Sequence, residues 1–287
     1  MSTQQQQTFN LFLLLLLGIF FSDFYLKWYE VGVILLFTVL TVYLIHLSWD
    51  ISYYFSSLST SIGIILMMVS SSFWIYFVLI ILALFQKKYL LIHQKHLFNP
   101  SNFALVMALF LFYDDAHIVL GQLGTAWWLM GIVVLLGTFI LIRVNRWLIS
   151  LSFIFFYLLF QYFLVVGYDP ILLIEDVYYR FYSVSFILFI FFMLTDPKTT
   201  PSSYAFQLLF AFLIALITVL LDRYNGFRVQ HLFLSLFLFT PSISFLVSFL
   251  EKFSKILLLR GSFILFFVMA VIITIEMKAP YYFIMSR

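Results

Sequence analysis

Cysteine is absent from the sequence. Its absence excludes disulfides, thiolate nucleophiles, iron–sulfur clusters and cysteine-based zinc sites. Charge is scarce as well: only 9% of the 287 residues are charged, whereas 65% are hydrophobic and the mean hydropathy is +1.13. Soluble domains carry charge on roughly 25% of their residues, so this composition predicts an integral membrane protein embedded in a lipid bilayer. The net charge of +3 is spread over the loops and predicts no nucleic-acid partner.

The apolar residues form runs of roughly 20 residues, not the alternating pattern of an outer-membrane barrel, so we expect an all-α polytopic membrane protein. About ten transmembrane helices are predicted in residues 1–250, the membrane domain, and one extra C-terminal helix follows a basic loop in residues 251–287. The third span carries several Ser and Thr residues and is expected to be a partly polar helix, or a broken or re-entrant one. The predicted spans cover about 9–22, 31–49, 52–70, 73–86, 99–115, 126–142, 147–166, 183–194, 203–221, 229–250 and 261–277.

The first ten spans divide into two halves of five, at about 9–115 and 126–250. Because five is an odd number, the second half starts from the other side of the membrane, which predicts an inverted repeat. Lys and Arg are unevenly distributed over the loops, with nine on the side of the N-terminus and six on the other side. This bias predicts a cytoplasmic N-terminus. Residues 1–10 hold no Lys or Arg and no small-residue cleavage site follows, so the run at 11–21 is expected to be a retained span.

Two short stretches interrupt the apolar pattern with Asn-Pro or Asp-Pro. Phe-Asn-Pro-Ser-Asn-Phe occupies residues 98–103, and Thr-Asp-Pro-Lys-Thr-Thr-Pro occupies residues 195–201. Asn and Asp are favourable N-cap residues, and proline suits the first helical position, so a helix is predicted to begin at each stretch. In a membrane protein, such a helix start directs free N–H groups and the positive end of the helix dipole toward a neighbouring ligand.

These stretches resemble motifs of the RnfD/NqrB family, whose members are membrane components of Rnf-type electron-transport complexes and of sodium-translocating NADH:quinone oxidoreductase. The first stretch resembles the family's Phe-Asn-Pro-Ala motif, and residues 191–201 resemble its Phe-Phe-x-x-Thr-Asp-Pro-Val-Thr motif. Arg146-Trp147 and residues 222–226 fit the same pattern, and the resemblance extends over roughly residues 7–250. The short RnfD-like proteins associated with enediyne biosynthesis are more similar still, since they share Gly-Gln-Leu-Gly at 121–124 and Asp-Pro-Lys-Thr-Thr-Pro.

The resemblance implies a ten-span fold of two inverted halves, flavin binding, membrane electron transfer, partner subunits in a larger complex, and a bacterial inner membrane. The electron-transport members of the family carry FMN on the threonine of a Ser/Gly-x-Ala-Thr motif, within a large insertion after span 5. Here only residues 113–127 follow that span, and the motif is absent. We therefore expect no covalent FMN, and any bound riboflavin or FMN is expected to be held noncovalently. The extra C-terminal span lies outside the resemblance.

The candidate cofactor-binding residues are the polar residues of the two stretches and two positions elsewhere. Ser59, in the third span, is a candidate hydroxyl donor to a flavin ring or an ion, with helix packing by small residues as the alternative. Gln122 lies in a Gly-flanked loop that permits close backbone approach to a ligand, or is an ordinary outer turn. For the stretches, the alternative is a plain N-cap, which explains Asn102 less well than Asn99. The candidates within the stretches are Asn99, Ser101, Asn102, Thr195, Asp196, Lys198, Thr199 and Thr200.

A bound haem is not expected, because His46 and His231 are predicted to lie at different depths. The histidines, His93 and His96 among them, are expected to be solvated loop residues. The sequence contains no nucleophile–base pair, Gly-rich phosphate loop or metal-ligand cluster, so no self-contained catalytic site is predicted and the chain is at most a redox subunit. A small-solute or ion transporter and a membrane scaffold without a cofactor remain the alternatives, because one fold hosts many functions.

Overall fold

The structure is a computed structural model that describes residues 2–22, 24–47, 50–92, 95–120, 122–166, 175, 180–251, 267–268, 271–272 and 274–275. The described residues include ten α-helical segments, of which α7 and α8 end in π-helical turns, and a short 3₁₀ helix at Arg180–Tyr182. The helices are α1 (Thr3–Phe21), α2 (Trp28–His46), α3 (Ile51–Met67), α4 (Trp74–Tyr89), α5 (Pro100–Leu111), α6 (Trp127–Val144), α7 (Trp147–Val166), α8 (Val184–Met193), α9 (Tyr204–Asn225) and α10 (Gln230–Glu251). The strands are β1 (Met68–Ser70), β2 (Leu91–Ile92), β3 (Lys95–His96) and β4 (Ala116–Ile118).

The prediction of an all-α membrane protein is confirmed. Among the described residues, α2, α6, α7 and α9 are long and apolar enough to cross a membrane by length and composition. Shorter apolar helices, α3, α5 and α8, pack among them. The predicted number of ten membrane-crossing helices stays a prediction, and most of the extra span at 261–277 lies outside the described residues.

The first helix begins earlier than predicted. We expected a start at about residue 9, but α1 begins at Thr3. Ser2 and Gln5 form a reciprocal cap, in which the Ser2 hydroxyl accepts from the Gln5 N–H (3.2 Å) and the Gln5 side chain accepts from the Ser2 N–H (2.8 Å). Such a capping box stabilises a polar first turn, which hydropathy alone does not reveal.

The third segment is one unbroken helix, as the first of the two expected alternatives, a partly polar helix, required. Its hydroxyl groups are used in helix packing: Thr38 of α2 donates to Ser61 (2.8 Å), and Ser59 shares a 2.7 Å hydrogen bond with Thr8 of α1. Short polar side chains that bond neighbouring helices in this way are typical of membrane helix interfaces. After α3, β1 pairs antiparallel with β4.

The helix ends lie at two faces of the bundle. The face that contains residue 2 is called the N-terminal face, and the other is called the opposite face. Arg143 at the end of α6 donates to Gln6 at the start of α1. At the opposite face, Ser22 after α1 donates to the carbonyl of Leu123, which precedes α6 (3.1 Å). Helices α1 and α6 therefore run antiparallel.

The helices pack in two groups along the chain. In residues 3–111, α3 packs against α1, α2 and α5, and α4 packs against α5 and α2. In residues 127–251, α9 packs against α7 and α10, and α8 packs against α6 and α7. The two groups meet where α1 packs against α6 and where α5 packs against α10.

The close approach of α3 to α5 depends on Gly63. A Cβ atom at this position would lie 2.7 Å from the Ser101 Oγ and 3.1 Å from the Ser101 Cβ. We expect Gly63→Ala to lower the free energy of unfolding by about 1–3 kcal/mol, because the short Ser101 side chain must move and its hydrogen bond to the Thr60 carbonyl (3.0 Å) is disturbed. Thermal unfolding of the purified protein in detergent measures the change.

Gly32 provides the matched control for Gly63. It lies inside α2, where an added Cβ meets nothing within 4 Å. Because alanine favours a helix over glycine by about 1 kcal/mol, Gly32→Ala should stabilise the protein slightly. Equal shifts from the two variants would contradict the proposed packing constraint at Gly63.

Candidate functional site

The start of α5 lies against the end of α8, so the two interrupted stretches meet. Asn99 is the N-cap residue of α5, and its side-chain oxygen accepts from the Asn102 N–H (3.1 Å). Its side-chain nitrogen donates to the Met193 carbonyl in the last turn of α8 (3.1 Å). The predicted N-cap at Asn99 is confirmed, and one side chain joins the two helices.

The second stretch does not begin a helix, and this expectation was wrong. The Asp196 carboxylate accepts from the Lys198 N–H (3.1 Å), and the Asp196 carbonyl accepts from the N–H groups of Thr199 (3.1 Å) and Thr200 (3.0 Å). These bonds close a compact turn of the kind that Asp favours. Pro201 then disfavours helical geometry at Thr200, so α9 begins only at Tyr204.

A cavity of about 250 Å³ lies at the meeting point of α1, α3, α4, α5 and α8, toward the N-terminal face. Five of the predicted site residues line it. Its walls combine apolar side chains, hydroxyl and amide groups, and both signs of charge. The predicted residues that line this cavity are Ser59, Asn99, Ser101, Asp196 and Lys198.

The other predicted site residues make structural hydrogen bonds away from the cavity wall. Asn102, fully buried, donates to the Phe233 carbonyl and joins α5 to α10 (3.1 Å). Thr195, in the turn after α8, donates to the carbonyl of Phe191 in that helix (2.7 Å). Thr200 accepts from Arg146 (3.0 Å), and Thr199 donates to the Asp196 carbonyl (3.3 Å).

Gln122 does not line the cavity. Its side chain donates to the carbonyl of Ile65, in the last turn of α3, at 2.6 Å. The cavity reaches α3 only at residues up to Gly63. A cofactor role for Gln122, and for the other four residues outside the cavity wall, stays a prediction.

Sequence reasoning missed two basic residues of the cavity, Lys87 and His96. Lys87 lies in the last turn of α4, and its ammonium group donates to the Thr60 hydroxyl at 3.4 Å. Burial, followed by the charges of Lys87 and Lys198, lowers the pKa of His96 to about 3, so this ring is neutral. Burial also raises the pKa of Asp196, against the opposing effect of its bond from the Lys198 N–H. Only the fold brings these residues together, although His96 lies two residues before the stretch that contains Asn99.

The expectation of solvated loop histidines was wrong for two of them. His96 is 8% exposed and His231 is fully buried. His46 stacks on Tyr53 near the end of α2, whereas His231 lies at the start of α10. His93 lies outside the described residues.

A second polar cluster lies toward the opposite face, around Asp222 at the end of α9. Arg180 contacts both Asp222 oxygens (3.1 and 3.3 Å), His231 lies 2.7 Å from one, and Gln161 donates to the other at 2.7 Å. Arg180 also donates to the Tyr157 hydroxyl at 2.7 Å. The cluster therefore joins α7, α9, α10 and the turn before α8. In the sequence, only the position of Asp222 before a Gly-containing loop gave a signal.

Comparison with known proteins agrees with this architecture. The model of the NQR2, RnfD, RnfE family matches residues 61–252, which is more than half of the 287-residue chain. No curated protein matches the sequence. The matched range contains both interrupted stretches, Lys87 and His96. The family consists of membrane subunits of Rnf- and Nqr-type electron-transport complexes. The chain belongs to the NQR2, RnfD, RnfE family.

Proposed function

We propose that this chain is the membrane subunit of an electron-transfer complex and that it holds riboflavin or FMN noncovalently in the cavity between α5 and α8. One observation carries the proposal: Asn99 joins the start of α5 to the end of α8 beside a cavity lined by both motifs of the family. The family match supports the electron-transfer role.

The residues of the cavity fit a flavin. A flavin ring requires apolar contact on its faces and hydrogen-bond donors at its polar edge, and the cavity offers Leu188 and Phe192 for the first. Lys87 and the ring nitrogens of His96 supply polar groups, and the N-terminus of α5 favours negative charge nearby. When bound, the flavin supplies one- and two-electron transfer; the chain binds it, orients it and excludes water from its apolar side. The volume is slightly below the ~300–1,000 Å³ of typical ligand sites, so part of the ligand would extend toward the N-terminal face.

We further propose that the two halves form an inverted repeat of ten membrane-crossing helices, with the N-terminus in the cytoplasm of a bacterial inner membrane. The antiparallel course of α1 and α6 supports this arrangement. Corresponding helix pairs also recur in the two halves. These pairs are α1–α3 with α6–α8, α2–α3 with α7–α8, α2–α4 with α7–α9, and α4–α5 with α9–α10.

The visible spectrum of the protein purified in mild detergent tests the flavin, followed by acid release and mass spectrometry of the ligand. We expect a stoichiometric riboflavin or FMN. Ser56 lines the cavity, so Ser56→Phe should fill it and lower flavin occupancy at least tenfold. Ser203 is exposed before α9 and makes no side-chain cap hydrogen bond, so Ser203→Phe is the matched control and should retain the flavin.

A colourless protein without releasable flavin would contradict the proposal. Uptake of a small solute by liposomes containing that protein would then indicate a transporter. A complex that requires the chain for assembly, but not the Ser56 site for activity, would indicate a scaffold.

A further inference from the structure

We propose that the ligand of this cavity carries a phosphate group, bound by Lys87, His96 and Lys198, so that FMN rather than riboflavin is the preferred flavin. This inference rests on the proposed function and specifies the ligand of the same site. It is carried by a second cavity, by the buried ring of His96, whose nitrogens make no hydrogen bond of good geometry, and by the absence of an ion pair within 4.0 Å for either lysine among the described residues.

The second cavity, of about 120 Å³, lies directly beside the first. The two cavities share five lining residues, of which three are basic or contain imidazole and none is acidic. The remaining wall of the second cavity includes the stacked rings of His46 and Tyr53. The shared residues are Gln4, Ser56, Lys87, His96 and Lys198. A ligand that lies in the first cavity therefore meets a basic group at the boundary with the second.

His96 has an unsatisfied hydrogen-bonding capacity at this boundary. The side chain is 8% exposed, and neither ring nitrogen makes a hydrogen bond of good geometry with a described residue. The backbone of Lys87 favours the protonated ring, but the burial of the ring and the charges of Lys87 and Lys198 outweigh this effect and lower the pKa. A buried polar group without a partner costs about 1–3 kcal/mol, so a ligand atom that pairs with this ring is favoured. A neutral imidazole donates one N–H, which a phosphate oxygen accepts.

Neither lysine forms an ion pair within 4.0 Å among the described residues, although the charge of Asp196 acts on both from a longer distance. Within that part of the chain, the ion pairs at 4.0 Å or less are those of Asp222 with Arg180 and His231. Asp196 lines the first cavity, but its carboxylate accepts from the Lys198 backbone N–H and not from either ammonium group at salt-bridge distance. The half-buried Lys87 carries most of the effect, because the exposed Lys198 is screened by solvent.

A bound anion offsets the repulsion between the positive charges of Lys87 and Lys198, and it accepts a hydrogen bond from His96. A phosphate ester meets both requirements, because it carries about −1.5 to −2 charge at pH 7 and has three acceptor oxygens. Riboflavin, which has no phosphate, leaves the boundary unfilled. Free phosphate has the same chemistry, so the two sources must be separated by experiment.

The inference is tested by titrating the flavin-free protein with FMN and with riboflavin. Binding is measured by the quenching of flavin fluorescence. We expect FMN to bind at least tenfold more tightly than riboflavin, and inorganic phosphate to compete with FMN but not with riboflavin. Lys87→Gln should abolish the preference by weakening FMN alone, and Lys198→Gln should reduce it less. Lys88→Gln is the matched control, since the Lys88 ammonium donates to the Ile45 carbonyl (2.6 Å) and lines neither cavity.

The outcomes separate this inference from the proposed function. Equal affinities for FMN and riboflavin, with no effect of Lys87→Gln, would overturn the phosphate site and leave the flavin site intact. If neither flavin binds but calorimetry detects binding of inorganic phosphate that is lost in Lys87→Gln, the phosphate site stands and the flavin proposal fails. If the protein binds none of FMN, riboflavin and inorganic phosphate, the phosphate site and the flavin site are both overturned. Thermal unfolding shows whether each variant is folded, and the exposed Lys198→Gln provides a second test if Lys87→Gln is not.

Discussion

Asp222→Ala is expected to lower the free energy of unfolding by about 3–5 kcal/mol, because it leaves a buried arginine without its counter-charge. The Asp222 side chain is fully buried and Arg180 is 6% exposed in the ion pair. Asp222 also accepts from Gln161 in α7 and contacts His231 in α10, so its loss removes the shared partner of two helices and one turn. Thermal unfolding in detergent, followed by tryptophan fluorescence, measures the change.

Asp115→Ala is the matched control for this substitution. Asp115 is exposed in the loop after α5, where its carboxylate accepts from the Ser71 hydroxyl (2.7 Å). Such surface changes usually alter stability by no more than about 0.5 kcal/mol. The double variant Arg180→Met with Asp222→Leu should be more stable than Asp222→Ala alone, because no unpaired charge remains. A mild effect of Asp222→Ala, similar to that of Asp115→Ala, would contradict the assigned role of the ion pair.

The two polar clusters differ in a way that bears on function. In the proposed inverted repeat, the end of α9 corresponds to the end of α4. At the end of α9, Asp222 and Arg180 satisfy each other's charge. At the end of α4, Lys87 faces a cavity and has no carboxylate within salt-bridge distance among the described residues. Of these two helix ends, the end of α4 presents charge to a ligand. We therefore place the functional site at the end of α4 and assign a structural role to the Asp222 cluster.

The sequence predicted the helices well, because an apolar run of roughly 20 residues has few other stable structures in a bilayer. It also predicted the N-cap at Asn99, which depends only on local geometry. It failed at residues 196–200, because the same Asp-Pro pair closes a turn when a second proline follows. Lys87 and His96 could not be found, since they reach the cavity through the packing of α4 and of the β2–β3 hairpin, and neither belongs to a local motif.

Asn99→Asp separates the two roles of Asn99 and should lower both stability and flavin occupancy. Aspartate remains a good N-cap acceptor for the Asn102 N–H, but it cannot donate to the Met193 carbonyl. Because carbonyls in the last turn of a helix lack partners within the helix, this change leaves a buried acceptor unpaired at a cost of about 1–3 kcal/mol. Asn99→Ala also loses the cap, for a total of about 2–4 kcal/mol.

The ranking of the Asn99 variants by stability distinguishes a contact between two helices from a simple N-cap. If Asn99 only caps α5, the free energy of unfolding of Asn99→Asp should match that of the wild type. If the contact with α8 matters as well, the free energy of unfolding of Asn99→Asp should lie between those of the wild type and Asn99→Ala. Asp50→Asn makes the reverse exchange at the N-cap of α3, where the side chain accepts from the Ser52 N–H (2.9 Å), and should change stability little. Thermal unfolding and flavin content are measured together on all three variants. If flavin occupancy falls in Asn99→Asp while α5 remains helical, the hydrogen bond from Asn99 to α8 is more important for the cavity than the N-cap. The cavity then depends on the contact between α5 and α8.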